Sequence, residues 1–427
     1  MNLLSLTLLI TAALSYTALS APITTNTANR FDIELSGPSP PTDHVGAMSR
    51  LASKTSDATV CLDAVCKGNS HNYLFADIYV GGSTTPSKVI LDTGSSDTWV
   101  TGSTCRNSVE DTKKGGCEPN EMGSVVTTPG KFNATGQTGS TKYGNKGDRG
   151  VEYSIYKTSV KFGTAEVTNF PIGVVTNSFG GVKIRGILGM AFNSLSKIEK
   201  ALGGENANFL DALQVSKFGI YISPQDETKG QVNFGYFNDK KYGAPGEELQ
   251  WFPVVPTDDK GYGYWLIDSS QMIISTIDYT GTERYLSYTL ESAPLQGRTL
   301  LDSGTPSMIF TQNVADTINE WYNSKYNATS NFNFIPCSDG YPLTMSLKVP
   351  GTKKPVSYRI PYSSLAAKLD SGKCYSLIKG GAEQYGMSTF GSPFHQAAYI
   401  AHDKEAKKIG FIPLNPKLMP TKSFWSF

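Results

Sequence analysis

From Tyr73 onward the chain sets short apolar runs between clusters of turn residues. Tyr73 to Val80, Lys88 to Leu91, Ser154 to Phe162, Phe218 to Ile222 and Val232 to Phe234 are rich in β-branched or aromatic side chains, and Gly, Pro, Asn or Ser clusters separate them. This spacing predicts a mainly antiparallel β protein. Helical periodicity is confined to two short stretches. One is Asn206 to Leu213; the other is Thr311 to Tyr322, where Val314, Ile318 and Trp321 share one face and Thr311 stands where an N-cap belongs. Ahead of these, residues 21–60 are rich in Thr, Ser and Pro with little apolar periodicity, which predicts a removable or flexible leader, a propeptide.

Within the β pattern lies an internal repeat. Val89-Ile90-Leu91-Asp92-Thr93-Gly94-Ser95-Ser96 recurs as Thr299-Leu300-Leu301-Asp302-Ser303-Gly304-Thr305-Pro306, each copy following an apolar run. An apolar pair followed by Asp, a hydroxyl residue, Gly and a second hydroxyl residue arises by chance in roughly one chain in a hundred of such length, and twice in about one in ten thousand. An Asp before Gly is ordinarily a turn cap, so either copy alone says little. The pair asks for a common purpose.

In each copy an apolar strand ends in a carboxylate, Gly permits a tight turn, and the hydroxyls of Thr93, Ser95, Ser303 and Thr305 can bond the loop and the carboxylate oxygens. A pseudo-twofold axis relating the two halves would set Asp92 beside Asp302. Carboxylates that share a site cannot both ionise cheaply, so one proton stays between them over a broad acidic range. One Asp can then act as base towards a bound water while its protonated partner donates to a carbonyl oxygen. This is general acid-base hydrolysis without His, metal or a nucleophilic side chain.

Composition narrows the partners. Lys and Arg number 38 against 37 Asp and Glu, leaving no net field to hold a polyanion, so no nucleic acid is expected. The four His residues (His44, His71, His395, His402) lack the close spacing of a helical zinc site, and no metal or other cofactor is expected. Leu3 to Leu14 is an apolar run, and Ala18-Leu19-Ser20 before Ala21 offers small residues where signal peptidase reads them. Residues 1–20 are therefore expected to be a signal peptide, and the product a secreted monomer without a membrane anchor. Six Cys in an exported chain lean towards three disulfides; fifteen pairings are open, and proximity along the chain favours Cys61-Cys66, Cys105-Cys117 and Cys337-Cys374. Asn133 and Asn327 head glycosylation sequons.

On these residues the chain resembles a pepsin-family aspartic protease of the secreted fungal type. The resemblance runs from about Tyr73 to Pro413. Leu91-Asp92-Thr93-Gly94-Ser95-Ser96-Asp97-Thr98-Trp99-Val100 is close to the family's first active-site motif, and Leu301-Asp302-Ser303-Gly304-Thr305 matches the second. Gly186-Ile187-Leu188-Gly189-Met190-Ala191-Phe192 is similar to the strand that packs under the first loop. The resemblance implies an all-β, bilobal fold, with an N-terminal lobe over 70–250, a C-terminal lobe over 251–415, a cleft between them and a tail over 416–427. It implies Asp92 and Asp302 as the catalytic pair and polypeptides as substrates. It also implies a substrate-covering hairpin, the flap, carrying Tyr143, Gly144 and Asn145, with the Tyr143 hydroxyl bonded to the Trp99 indole; Tyr153 is the second choice for the flap Tyr. Cys105-Cys117 and Cys337-Cys374 fall where the family has disulfides.

The chain also departs from the family pattern. Pro306 stands where Ser or Thr is usual, removing a hydroxyl and a backbone N–H beside the second loop. Arg185 replaces the Asp that usually precedes Gly-Ile-Leu-Gly, and Thr389-Phe390-Gly391-Ser392-Pro393-Phe394 replaces an Ile-Leu-Gly-Asp strand. Both are supporting positions, where altered packing is expected rather than lost chemistry. Gly144-Asn145-Lys146-Gly147 lengthens the flap tip, and residues 21–60 show no Lys that would plug the dyad. The alternative function is a catalytically silent peptide- or protein-binding member of the fold, whose mark would be a missing Asp or a broken turn; both turns are intact. A two-carboxylate glycosidase lacks a supporting Glu motif, and a Ser hydrolase lacks Gly-x-Ser-x-Gly.

Overall fold

In the computed structural model of the protein, the described residues are 30–36, 75–108, 117, 124–143, 149–180, 186–226, 229–258, 261–289, 297–352, 355–369 and 371–420. The expected signal peptide, most of the expected leader, the Cys61-Cys66 pair, Gly144 and Asn145 of the flap, Arg185 and the end of the tail lie outside them.

The apolar runs form strands, several lengthened at their ends by ladder pairing with neighbours. In chain order they are β1 (Phe31–Ser36), β2 (Phe75–Val80), β3 (Ser87–Asp92), β4 (Trp99–Asn107), β5 (Asn133–Tyr143), β6 (Arg149–Phe162), β7 (Ala165–Phe179), β8 (Gly186–Gly189), β9 (Lys217–Ile222) and β10 (Lys229–Phe234). Then come β11 (Gln250–Pro253), β12 (Leu266–Asp268), β13 (Gln271–Ile277), β14 (Glu283–Thr289), β15 (Arg298–Leu301), β16 (Met308–Ile309), β17 (Lys325–Asn327) and β18 (Phe332–Ile335). The last are β19 (Leu343–Leu347), β20 (Val356–Ile360), β21 (Ala366–Lys368), β22 (Cys374–Ser376), β23 (Ile378–Lys379), β24 (Ser388–Phe390), β25 (Ala398–Asp403) and β26 (Lys408–Pro413). A 13-stranded sheet, ordered β11-β26-β25-β9-β10-β1-β2-β3-β8-β4-β7-β6-β5, joins the two lobes. The C-terminal lobe adds a five-stranded sheet, β12-β15-β24-β16-β23, and two four-stranded ones, β14-β13-β19-β20 and β17-β18-β22-β21. The protein is thus mainly β with a few short helices, the expected class.

The sequence repeat is also a structural repeat. β3 runs parallel to β8 with Leu91 opposite Leu188, and β15 runs parallel to β24 with Leu301 opposite Phe390. β8 pairs antiparallel with β4, and β24 antiparallel with β16. Strands flanked on both sides and covered on both faces are buried along their length, and Ile187, Leu188 and Phe390 are buried, as are the polar Ser388 and Thr389 of β24. Thr389-Phe390-Gly391 therefore occupies the place in its lobe that Ile187-Leu188-Gly189 occupies in the other, despite the changed residue types.

β1 falls inside the stretch expected to be a removable leader, yet it is the strand that joins β10 to β2. All six of its residues pair with β10, and Ser36 also pairs with Phe75. Ile33 and Leu35 are buried in the main core, while the Asp32 carboxylate accepts from the Asn233 amide at 2.9 Å and the Tyr236 hydroxyl at 2.6 Å. The two expected helices are present but shorter. One is Phe209–Ala212, where the capping Asn208 side chain accepts from the Asp211 N–H; the other is Gln312–Trp321, which buries Val314 and Ile318. Thr311 takes the N-cap position without a side-chain bond, and the Glu383 carboxylate accepts the N–H of Gln312, the first helical residue, at 2.8 Å.

Two imidazoles sit fully buried in the core beneath the second repeat. His402 on β25 stacks on Phe218 at 4.4 Å and meets the Trp265 ring edge-on at 4.9 Å, and neither of its ring nitrogens has a hydrogen-bond partner among the described residues. His395, in the short helix Ser392–His395, pairs Nδ1 with the Gly391 carbonyl at 3.0 Å and leaves Nε2 unpaired. Burial pushes His395 down to about 4, and burial together with His395 pushes His402 well below the usual imidazole range. Asp403 and Lys217, one step along β25 and β9, pair with each other at 3.7 Å. In the unfolded chain each imidazole takes its proton near pH 6.5, so this contribution to stability is complete above that pH and declines as pH falls, by up to about 1.4 kcal/mol per pH unit for each ring. His402→Phe keeps the stacking on Phe218 and removes one titration. Its melting temperature should fall less than the parent's between about pH 7 and pH 4.5; equal falls by calorimetry would contradict the account.

Candidate active site

The two repeated loops are bolted together by their second residues. The Thr93 hydroxyl donates to the Leu301 carbonyl at 2.8 Å and accepts from the Ser303 N–H at 2.9 Å. In return the Ser303 hydroxyl donates to the Leu91 carbonyl at 2.6 Å and accepts from the Thr93 N–H at 3.1 Å. Each hydroxyl thus uses its donor and an acceptor lone pair on the opposite lobe, and both residues are buried. Substituting either by an apolar residue would strand a buried carbonyl and a buried N–H, each costing on the order of 1–3 kcal/mol.

This bolt fixes the carboxylates one residue away. Asp92 accepts from the Gly94 N–H at 2.8 Å and from the Ser95 hydroxyl, while Asp302 accepts from the Gly304 N–H at 2.9 Å and the Thr305 hydroxyl at 2.5 Å. The glycines are there for space. A Cβ on Gly94 would lie 2.6 Å from the Asp302 carboxyl, and one on Gly304 would lie 2.4 Å from Asp92 Oδ1. Supporting strands hold the loops in matching fashion: the Ala191 N–H donates to the Ser95 carbonyl at 2.9 Å, and the Ser392 N–H to the Thr305 carbonyl at 2.8 Å. The match ends at Ser96 and Pro306. The Ser96 hydroxyl accepts from the Asn208 amide at 3.2 Å, whereas Pro306 is buried with no donor to place.

Burial, the neighbouring Asp92 charge and a hydrogen bond to Asp92 hold the Asp302 carboxyl well above the usual carboxylate range. One proton is therefore retained between the two groups. Tyr143, at the end of β5, accepts the Trp99 indole N–H at 2.7 Å, and its phenol is raised by burial and by Asp92. Tyr264 escaped the sequence reading. It stands two residues before β12, the partner of β15, and its phenol is raised by burial and then by the charges of Asp302 and Asp92, which act on it from across the site. Nothing in its local sequence marks it, since only the pairing of β12 with β15 carries it there. Tyr153 lies elsewhere: its ring fills a slot between Gly139 and Gly173, and its hydroxyl turns to Asp97.

Cys105-Cys117 and Cys337-Cys374 are disulfide-bonded, as two of the expected pairings. Asn133 and Asn327 are both exposed. Among the described residues no cluster of three or more His, Cys, Asp or Glu side chains could hold a metal ion, and no helix is long and apolar enough to cross a membrane.

The family model described as eukaryotic aspartyl protease matches residues 72–414. The chain belongs to that family. Being such a protease, it is a hydrolase of the aspartic endopeptidase type. Rhizopuspepsin-2 of Rhizopus niveus is 23% identical over 348 residues, covering 80% of this chain and 78% of that protein. Secreted aspartic protease 8 of Candida albicans is 23% identical over 350 residues, covering 78% of this chain and 74% of its own length. Among solved structures, the aspartic proteinase from Irpex lacteus superposes with a TM-score of 0.60 at 14% identity, covering 92% of this chain and 99% of that one. The bilobal pepsin-like fold is thus shared at low identity.

Proposed function

We propose that this protease is secreted, works at acidic pH through Asp92 and Asp302, and prefers apolar or aromatic residues on either side of the bond it cuts. The observation that carries the reading is the pair itself: two carboxyls on symmetric loops, each set against the opposite loop's glycine, with Asp302 held well above the usual carboxylate range by burial and by Asp92. Protonated Asp302 can donate to the scissile carbonyl oxygen while Asp92, fixed by Gly94 and Ser95, takes a proton from the attacking water. The water adds to the carbonyl carbon, and return of a proton to the amide nitrogen releases the amine. Thr93, Ser303, Gly94, Gly304, Ser95 and Thr305 set the geometry, and Tyr143 with Trp99 forms the wall under the flap. Polypeptides are the substrates.

Secretion is supported by the apolar run Leu3 to Leu14 with the small residues after it, and by the printed name of the Candida albicans relative. The pairing of β1 with β10 and β2 supports its retention in the active enzyme, with a removable leader that ends ahead of Phe31. Cysteine pairing at Cys61-Cys66 and glycans at Asn133 and Asn327 belong to the same secreted reading.

Secreted enzyme whose N-terminus, read by sequencing, precedes Phe31 should digest haemoglobin best below about pH 6, since deprotonation of Asp302 removes the proton donor. Asp92→Asn and Asp302→Asn should each keep the loop shape and abolish that activity. An active enzyme starting beyond Ser36, a rate that rises through neutrality, or substantial activity in either variant would count against the reading.

Specificity follows from the flap sequence. Asn145 cannot neutralise a substrate Lys, and an ammonium at Lys146 would repel one by roughly 1 kcal/mol at about 4 Å in water-like surroundings. Cleavage after Lys should be poor in a peptide-library profile, and Asn145→Asp with Lys146→Gly should raise it. Strong wild-type cleavage after Lys would refute the electrostatic argument.

A further inference from the structure

Asp97 is a third acidic residue of the first repeat's loop, buried and unused by the hydrolytic chemistry. Its carboxylate is nonetheless surrounded by donors. Oδ1 accepts from the Ser196 hydroxyl at 2.7 Å and the Ile198 N–H at 3.2 Å; Oδ2 accepts from the Lys197 N–H at 3.1 Å and the Tyr153 hydroxyl at 3.3 Å. Two of these partners lead to the flap hairpin by separate routes. Tyr153 is on β6, the second hairpin strand. Lys197 begins the helix Lys197–Ala201, and its ammonium donates to the Ser140 carbonyl on β5, the first strand, at 3.1 Å. The same loop supplies Trp99, two residues on, to the Tyr143 hydroxyl at the end of β5.

The slot for Tyr153 is built into the neighbouring strands. Tyr153 pairs with Gly139 on β5. A Cβ on Gly139 would lie 2.5 Å from the Tyr153 ring, and one on Gly173 of β7 would lie 2.9 Å from it, so both strands give up a side chain where the ring passes. The hydroxyl emerges from this slot beside Asp97 and out of solvent, since Tyr153 is 1% exposed. Burial and the Asp97 charge keep the phenol protonated, so it remains a donor throughout the acidic range.

We propose that Asp97 and Tyr153 are positioning residues that fix the base of the flap hairpin to the loop carrying Asp92. Neither touches substrate; they act through Tyr143 and the hairpin that closes over the peptide. The inference rests on the reading of this hairpin as the flap of an acid protease. A hairpin held this way is preorganised for binding, and the contact it makes to the peptide is present in both the bound substrate and the transition state. Loosening it should therefore raise KM more than it lowers kcat.

The test uses wild type, Tyr153→Phe, Asp97→Asn and the double variant, with kcat, KM, melting temperature and the pH profile of kcat measured on one peptide substrate. Tyr153→Phe removes a single hydroxyl, and its KM should rise about 2- to 10-fold, the range for one hydrogen bond, with kcat and its pH profile unmoved. The double variant should be no worse than Asp97→Asn alone, because the pair acts as a unit. A Tyr153→Phe enzyme that melts lower but keeps the wild-type KM, or KM effects that simply multiply in the double variant, would overturn the proposal. A wild type without acid protease activity would instead overturn the protease reading and this inference with it.

Discussion

Four hydrogen bonds between Thr93 and Ser303 and the opposing loops are the constraint around which the molecule is arranged. They are buried and reciprocal, and they cross from one lobe to the other, so neither loop can move without breaking bonds made by its twin. Holding the backbones this close leaves no room for a Cβ at Gly94 or Gly304 and brings two carboxyls into one site. The proton retained by Asp302 is the electrostatic consequence of that packing. The electrostatics here follow from a steric arrangement, with the protein interior preventing the two carboxyls from relaxing apart.

Around the bolt, symmetry is kept where it serves the loops and dropped elsewhere. β8 and β24 run beside β3 and β15 in the same sense, and the Ala191 and Ser392 N–H groups hold equivalent carbonyls. Yet the Asp97 network, the hairpin proposed as the flap and Tyr153 belong to the first lobe alone, and the second lobe instead carries two buried imidazoles, with both ring nitrogens of His402 and Nε2 of His395 unpaired among the described residues. Lower pH draws protons onto His395 and His402 in the unfolded chain, so these imidazoles lower stability on the acid side, the side on which the proposed chemistry of the dyad would work.

The dyad was legible because its information is local. A strand, a carboxylate, a glycine and two hydroxyls occupy consecutive positions, and the second copy removes the turn-cap explanation. Most strands were legible for the same reason. β1 was missed although Phe31-Asp32-Ile33-Glu34-Leu35-Ser36 alternates with period two, because the surrounding Pro, Ser and Thr overrode a six-residue signal. Helix Phe209–Ala212 is shorter than its pattern, since the buried contacts of Phe209 and Leu210 account for the apolar spacing without more turns. What stayed hidden depends on partners distant in sequence. His402 acquires its environment from Phe218 and Trp265, Tyr153 from Gly139 and Gly173, and Tyr264 from the pairing of β12 with β15. No window of sequence contains those relations.

The bolt is proposed to force one proton to be shared by Asp92 and Asp302. Infrared difference titration reads this directly, through the carbonyl stretch of a protonated carboxyl. The account predicts a band in the wild type that persists well above the ordinary carboxylate pKa of about 4 and is absent from Asp302→Asn over the same range. A wild type in which both carboxyls ionise at ordinary carboxylate pH, with a titration indistinguishable from that of Asp302→Asn, would contradict it.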